Sequence, residues 1–397
     1  MLDLILVGAT GFTGRRAAAY FKEHAPNELN WGIAGRNSAK LIELANDLSL
    51  SESKIFEVDL LNKDQVEELV RNTKIIVTTA GPFSLYGEYL IGACATSGTH
   101  YLDITGEVGF IMKMEKKYGK AARENRAKII PFCGFDSIPA EITLLHFKDK
   151  FSKEDQVTIK SYYTISGGLN GGTLASMLNK FESGEVGEMN DPRLALAGNE
   201  QKLGKPDAPQ FFGFDRKAGR WSTPFIMGSI NSKVVYRSVS LFREFGKPMF
   251  ESIAYSEHTK LGKWYNPLPF LSQTLTLLML QFLMPFQWFR KLLKKVGPKP
   301  GEGPSEDAIE NGFIRWHAFA WSDATSQTQE VEFSYPGDAS NKSTVFFLCE
   351  SALLLAASIQ SINSDEHSLN GFLTPSTAFE DGLLNRLTDR GLNSSRS

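Results

Sequence analysis

Apolar and polar positions follow two rhythms along the first third of the chain. Leu2–Val7 is a largely apolar run, with Asp3 its one exception, and predicts a strand buried on both faces; further strands are predicted at Asn30–Ala34, Lys54–Val58, Lys74–Thr79, Tyr101–Asp103 and Lys128–Pro131. Between them lie helix-like segments at Thr13–His24, Ser38–Leu48, Lys63–Arg71, Glu88–Ser97 and Glu107–Arg126. Ser38 reads as an N-cap ahead of Ala-Lys-Leu-Ile-Glu-Leu-Ala. Strand and helix in regular succession predict a parallel sheet with crossover helices over residues 1–134.

The rhythm changes after Cys133-Gly134-Phe135-Asp136. Gln156–Ser166, Ser232–Phe242, Phe313–Trp321 and Gln329–Tyr335 partly alternate and predict strands, with a helix at Thr173–Phe181. This describes a second, α+β domain over 135–342, built on a largely antiparallel sheet. Gly184–Asp215 is rich in Gly, Pro, Asn and charge and reads as a long loop. Tyr265–Phe289 contains no Asp, Glu, Lys, Arg or His and is followed by Arg290-Lys291-Leu292-Leu293-Lys294-Lys295. Ser343–Ile359 is a strongly apolar helix within a C-terminal segment, 343–397. The Asn/Ser-rich tail after Arg390 is expected to fray.

Composition narrows the function classes. A chain of 397 residues is long enough for two cores. A net charge of −2 offers no global attraction to a polyanion, so nucleic acid is not expected as a partner. Three scattered cysteines, Cys94, Cys133 and Cys349, make neither a disulfide framework nor a thiolate metal site and fit a reducing, cytoplasmic setting. The six histidines show no metal-ligand spacing, and no metal is expected. No Gly-x-Ser-x-Gly elbow or Walker loop is present. The N-terminus, Met-Leu-Asp-Leu-Ile-Leu-Val-Gly, reads as a first strand and not as a secretory signal.

The chemistry concentrates where strands end. Gly8-Ala9-Thr10-Gly11-Phe12-Thr13-Gly14 follows a buried strand and opens a helix, the context of the Rossmann dinucleotide fingerprint. Gly8 allows the tight turn, Gly11 the close approach of a pyrophosphate, and Gly14 the packing of helix on sheet. Thr10, Phe12 and Thr13 lie between them, where amides of the first helical turn meet phosphate. An NAD site carries an acid about twenty residues on. This chain has Ala34-Gly35-Arg36-Asn37 instead, and an arginine pairs with the 2′-phosphate of NADP(H). A solvated arginine at a loop start is the plainer alternative. Asp59, after the third strand, is placed to meet the adenine edge or to make a turn. Ala80, Gly81 and Pro82, after the fourth, are placed to line the nicotinamide ribose. Asp103, Thr105, Glu107, Asp136 and Ser137 converge on the expected cleft between domains. Asp103, Glu107 and Asp136 are the catalytic candidates, with capping and turn roles equally open.

Taken together these motifs resemble the saccharopine dehydrogenase-like oxidoreductase family, which includes the trans-acting enoyl reductases. The resemblance adds Ala80-Gly81-Pro82-Phe83, Tyr86-Gly87-Glu88, Tyr101 to Glu107 and Gly134 to Ala140 to the glycine loop and Ala34-Gly35-Arg36. It continues through Gly171 to Ser176, Gly301-Glu302-Gly303-Pro304-Ser305 and Leu373-Thr374-Pro375. It implies a Rossmann domain, an inserted α+β domain and a C-terminal helix returning to the first domain. It also implies a pyridine-nucleotide reductase. The enoyl-reductase branch implies an acyl or lipid-like C=C substrate, and the family name implies an amino-acid C–N bond. A nucleotide-binding module without turnover at a membrane or lipid surface is a third reading. For Tyr265–Phe289 and the basic residues to 295, peripheral membrane contact stands against a buried helix of the second domain or of a homodimer interface.

Overall fold

Buried, β-branched-rich runs make the core of the first sheet. In the computed structural model, which describes residues 1–168, 170–182, 212–216, 218–299, 301–322, 324–361 and 369–395, they form β1 (Leu2–Val7), β2 (Trp31–Gly35), β3 (Ile55–Glu57), β4 (Thr73–Thr78), β5 (His100–Asp103) and β6 (Lys128–Ile130). Their order is β6-β5-β4-β1-β2-β3 and every pair is parallel. The order reverses direction at β1, where β2 and β4 pair on either side. In open α/β sheets this switch point is where a ligand crevice opens at the carboxyl ends of the strands.

The second sheet uses β7 (Gln156–Ser166), β8 (Gly213–Asp215), β9 (Arg220–Pro224), β10 (Ser252–Leu261), β11 (Phe313–Ser322) and β12 (Gln327–Pro336). Their order is β12-β11-β7-β10-β9-β8. Only the central β7–β10 pair is parallel; the others are antiparallel. One expectation fails here. Ser232–Phe242 is not a strand but lies within a helix, Gly228–Glu244. Its Val, Ser and Phe content suits a strand, yet most of the segment is buried between other elements, and packing overrides intrinsic preference. Of the strands missed from the sequence, the one that bears on the site is β10. Its inward face, Ile253, Tyr255 and Glu257, breaks the apolar pattern with a carboxylate.

The C-terminal segment belongs to both sheets. Helix Thr344–Ser361 places Leu348, Cys349, Ala352 and Leu353 in one core with Leu4, Leu6, Ile75 and Val77 of the parallel sheet. Its fully buried Glu350 accepts hydrogen bonds from the Tyr20 hydroxyl at 2.7 Å and from Arg386 at 2.5 Å. Next, β13 (Gly371–Phe372) adds a seventh parallel strand beside β6. Last, β14 (Asn393–Ser395) pairs with β12, so three residues of the tail form a strand where fraying was expected. Hydrogen bonding to an edge strand outweighs its polar composition. Most of the expected loop Gly184–Asp215 lies outside the described residues; within them, Gly213–Asp215 is β8.

Among the described residues one helix is long and apolar enough to cross a membrane, Ala339–Ile359, and 72% of its most apolar 18-residue stretch is buried inside the protein. That is the signature of a core helix. The apolar segment after Tyr265 forms two helices, Leu268–Leu283 and Gln287–Val296.

Candidate active site

The glycine loop leaves β1 through Gly8, whose φ of +78° favours glycine. Gly8 and Ala9 donate amides to the Ala34 carbonyl at 2.9 and 3.2 Å, which pins the turn to β2. A Cβ at Gly14 would overlap the Gly8 carbonyl oxygen, so only glycine lets helix Phe12–His24 start this close to the strand. That helix has no side-chain N-cap and no acidic residue in its first turn. Its amide end is therefore open to an anion, as a pyrophosphate requires. A dinucleotide fits the residues present.

At the end of β2, Arg36 is exposed, with its guanidinium 5.8 Å from the centre of the Tyr86 ring. Asn37 beside it caps helix Ser38–Leu48 by accepting the Lys40 amide at 3.0 Å. The helix cap is thus supplied by Asn37, not Ser38, and Arg36 is left at the rim. Thr10 lies beside Gly35, so Arg36 and the glycine loop border one crevice. Asp59 sits one strand farther out. Its side chain accepts the Leu61 amide at 3.1 Å and shapes the turn before helix Lys63–Arg71.

On the other side of β1, the Thr79 amide donates to Val7 and the Ala80 amide to the Thr78 hydroxyl. Ala80 abuts Gly8, and the Gly81-Pro82 peptide is cis. What holds this loop is Glu107. Its two carboxyl oxygens accept the Phe83 and Ser84 amides, each at 2.9 Å, and its own amide donates to the Thr105 hydroxyl. Glu107 is buried, as is Asp103. Asp103 accepts from Tyr101 Oη at 2.7 Å, the Thr105 amide at 2.9 Å and the Phe132 amide at 3.2 Å. Burial pushes its acid up to about 7, against the pull of these donors. Asp103 and Glu107 therefore brace the ends of β4, β5 and β6 from beneath.

The second domain covers the crevice with two segments. Gly303 rests on the Phe12 ring so closely that any side chain there would collide with it. Arg16 reaches Glu306, and the Gly171 amide donates to the Glu302 carbonyl at 2.9 Å. The Gly-Glu-Gly-Pro-Ser stretch is thereby laid on the glycine loop. Helix Gly171–Glu182 supplies the second cover. Its Ser176 faces Gly81, and its Asn179 donates to the Ser84 hydroxyl at 3.1 Å.

Asp136 is half-buried at the domain junction, beside Gly106, Met227 and Ile230. Near it is a group the sequence reasoning missed. Glu257 of β10 is buried and accepts from Tyr255 Oη at 2.7 Å, Tyr163 Oη at 2.9 Å and Asn231 Nδ2 at 2.7 Å. Ser137 joins the network by donating to Asn231 Oδ1 at 3.4 Å. Burial pushes the Glu257 acid up to about 7, and the negative charge of Asp136 adds to the effect. A signal existed: Tyr255-x-Glu257 alternates on one strand face, but only once β10 is recognised as a strand.

This glycine loop, switch-point crevice and covering domain define a pyridine-nucleotide oxidoreductase. Residues 4–130 match the saccharopine dehydrogenase NADP binding domain. The trans-acting enoyl reductases of Mycobacterium tuberculosis and Mycobacterium ulcerans are each 30% identical to this chain, over 98% of it and 96% of their own lengths. Among solved structures, apo saccharopine dehydrogenase (L-Glu forming) from Saccharomyces cerevisiae matches over 100% of both chains, with a TM-score of 0.55 and 11% identity, a likeness of fold. The chain belongs to the saccharopine dehydrogenase-like oxidoreductase family and is an NAD(P)-dependent oxidoreductase whose N-terminal domain binds NADP(H).

Proposed function

We propose that this enzyme reduces the C=C bond of an apolar, acyl-type α,β-unsaturated substrate at the expense of NADPH. The observation that carries the reading is the match to enoyl reductases along nearly the whole chain, second domain included. The cleft agrees with it. Met227 and Ile230 place apolar atoms beside Gly106, and Phe83 does so beside Gly81.

When bound, the reduced nicotinamide supplies a hydride, here directed to the β-carbon. The protein's tasks are to position and to protonate. Glu107 fixes the Ala80–Ser84 loop through two amides, and Asp103 fixes the ends of the neighbouring strands, so both act as positioning residues. Met227 and Ile230 exclude water from the reacting carbons. Glu257, its acid pushed up to about 7 by burial and by the charge of Asp136, holds the proton destined for the α-carbon, and Asp136, which lies beside Gly106, passes it on.

The test is NADPH oxidation followed by absorbance against enoyl thioesters of increasing chain length, and against 2-oxo acids mixed with amino acids. Turnover is expected with enoyl thioesters, rising with chain length. Activity confined to the amino-acid mixtures would establish the C–N reading instead. Tight NADPH binding with no turnover on either panel would leave a binding module.

A further inference from the structure

Helix Leu268–Leu283 is a 16-residue apolar helix in which no residue is buried. Leu268, Leu271, Leu275, Leu278 and Phe282 recur at helical spacing and form one outward stripe, with Leu268 and Leu275 each 69% and Phe282 67% exposed. Phe286 and Trp288 extend the stripe into the next helix, and Trp264 and Tyr265 flank its start; all four are exposed. An apolar face of this extent on one element marks an interaction surface.

The charge around it says what covers it. From Glu257 to Glu302 the intervening chain contains seven Lys and Arg residues and no Asp or Glu. Lys294 pairs with Glu182 at 2.7 Å, and Arg290 donates to the Met284 and Pro285 carbonyls. Lys291 and Lys295 are exposed and have no acidic partner among the described residues. Apolar stripe, aromatic flanks and unneutralised lysines on adjoining helices match the layers of an anionic bilayer surface, which are acyl chains, interface and headgroups. The helix is about 24 Å long at 1.5 Å per residue, short of a roughly 30 Å hydrocarbon core, so it lies along the surface and does not span.

The inner side of this unit leads to the cleft. Met284 and Phe289 form a small core with Leu174 and Leu178 of helix Gly171–Glu182, joined by Leu280, Leu283 and Leu293. That same helix faces Gly81 with Ser176 and holds Ser84 with Asn179. One helix thus has the apolar surface at its back and the loop beside the nicotinamide site at its front.

We propose that Leu268–Leu283 and Gln287–Val296 dock the enzyme on an anionic phospholipid bilayer, and that an apolar substrate reaches the cleft from the lipid along helix Gly171–Glu182. The docking does not depend on the enoyl reading; only the delivery of substrate rests on it. Flotation of the full-length chain is measured with phosphatidylcholine vesicles and with equimolar phosphatidylcholine–phosphatidylserine vesicles at low salt. The protein should float with the serine-lipid vesicles and far less with phosphatidylcholine alone. Leu275→Asp/Phe282→Asp should weaken flotation by about tenfold or more with thermal midpoint and NADPH binding unchanged, since both side chains are exposed. Lys291→Glu/Lys295→Glu should abolish the preference for anionic lipid. Wild-type protein that stays in solution with both vesicle types overturns the proposal. So does a dimer in solution that Leu275→Asp/Phe282→Asp converts to monomer, because the stripe is then covered by a second copy.

Discussion

Replacing Glu107 by glutamine separates a positioning role from a chemical one. Glutamine keeps the size of the side chain and one acceptor oxygen, and turns the other acceptor into an amide NH2 donor. In the native site both oxygens accept backbone amides at 2.9 Å, from Phe83 and Ser84. The variant loses one bond between an amide and a carboxylate, about 1.5–3 kcal/mol, and sets two donors face to face, about 1–3 kcal/mol more if the amide stays dry. Ser84 is only half-buried, so water relieves part of the second cost. The expected total is roughly 2–4 kcal/mol. It should appear first where the bonds are, as opening of the loop that carries Ala80, Gly81 and Pro82. Glu107→Gln should therefore lower the thermal midpoint and weaken NADPH binding together, and saturating NADPH should restore part of the lost stability. Differential scanning fluorimetry with and without NADPH, a fluorescence titration of the cofactor, and kcat at saturation are sufficient. A variant with native unfolding and native NADPH affinity but a collapsed kcat would refute the argument and return Glu107 to the chemistry.

Arg36→Ala should weaken NADPH binding by about 1–3 kcal/mol and leave NADH binding nearly unchanged. Equal losses for both cofactors in parallel titrations would detach Arg36 from the 2′-phosphate. Glu257 yields a pH prediction. Its folded value near 7 lies above the ordinary 4.5, so the folded state holds the proton more tightly between those limits. Its contribution to stability is full below about pH 4.5 and is lost as pH rises toward 7, by up to about 3 kcal/mol. Glutamine does not titrate, so Glu257→Gln should gain stability relative to wild type between pH 5 and pH 8 in urea unfolding. Asp103, whose shift has the same sign, is present in both proteins and cancels. A difference that stays flat with pH would contradict a raised Glu257.

Six strands of the parallel sheet were readable because short, mostly apolar runs alternate with helix-like segments; the seventh, β13, is only two residues long and left no such run. The same logic misread Ser232–Phe242, because a helix enclosed on nearly every side has no polar stripe to reveal its period. It passed over β10 because the inward positions of a strand that carries site chemistry are not all apolar. At the site, Gly8 and Gly14 were legible because the backbone geometry there demands glycine. Asp103 and Glu107 were recognisable as important, but whether a carboxylate faces the cleft or the amides behind it depends on chain paths that spacing alone does not encode. Glu257 required knowing that β10 and β7 lie side by side, which places Tyr255 and Tyr163 on the same carboxyl group.

The late arrival of the Thr344–Ser361 helix and of β13 sets the order in which this chain can mature on the ribosome. Leu4, Leu6, Ile75 and Val77 form an apolar sheet face whose cover includes Leu348 and Ala352, roughly 270 residues downstream. At the usual 5–20 residues per second, that face waits roughly 15 to 55 s for its lid to be translated. Through that interval the nascent nucleotide-binding half lacks part of its apolar cover, a surface of the kind chaperones bind. A message cut short before codon 344 would yield a chain with the fingerprint loop intact and the sheet behind it uncovered. The late helix thus ties the exposed apolar area of the nucleotide-binding half to how far translation has run.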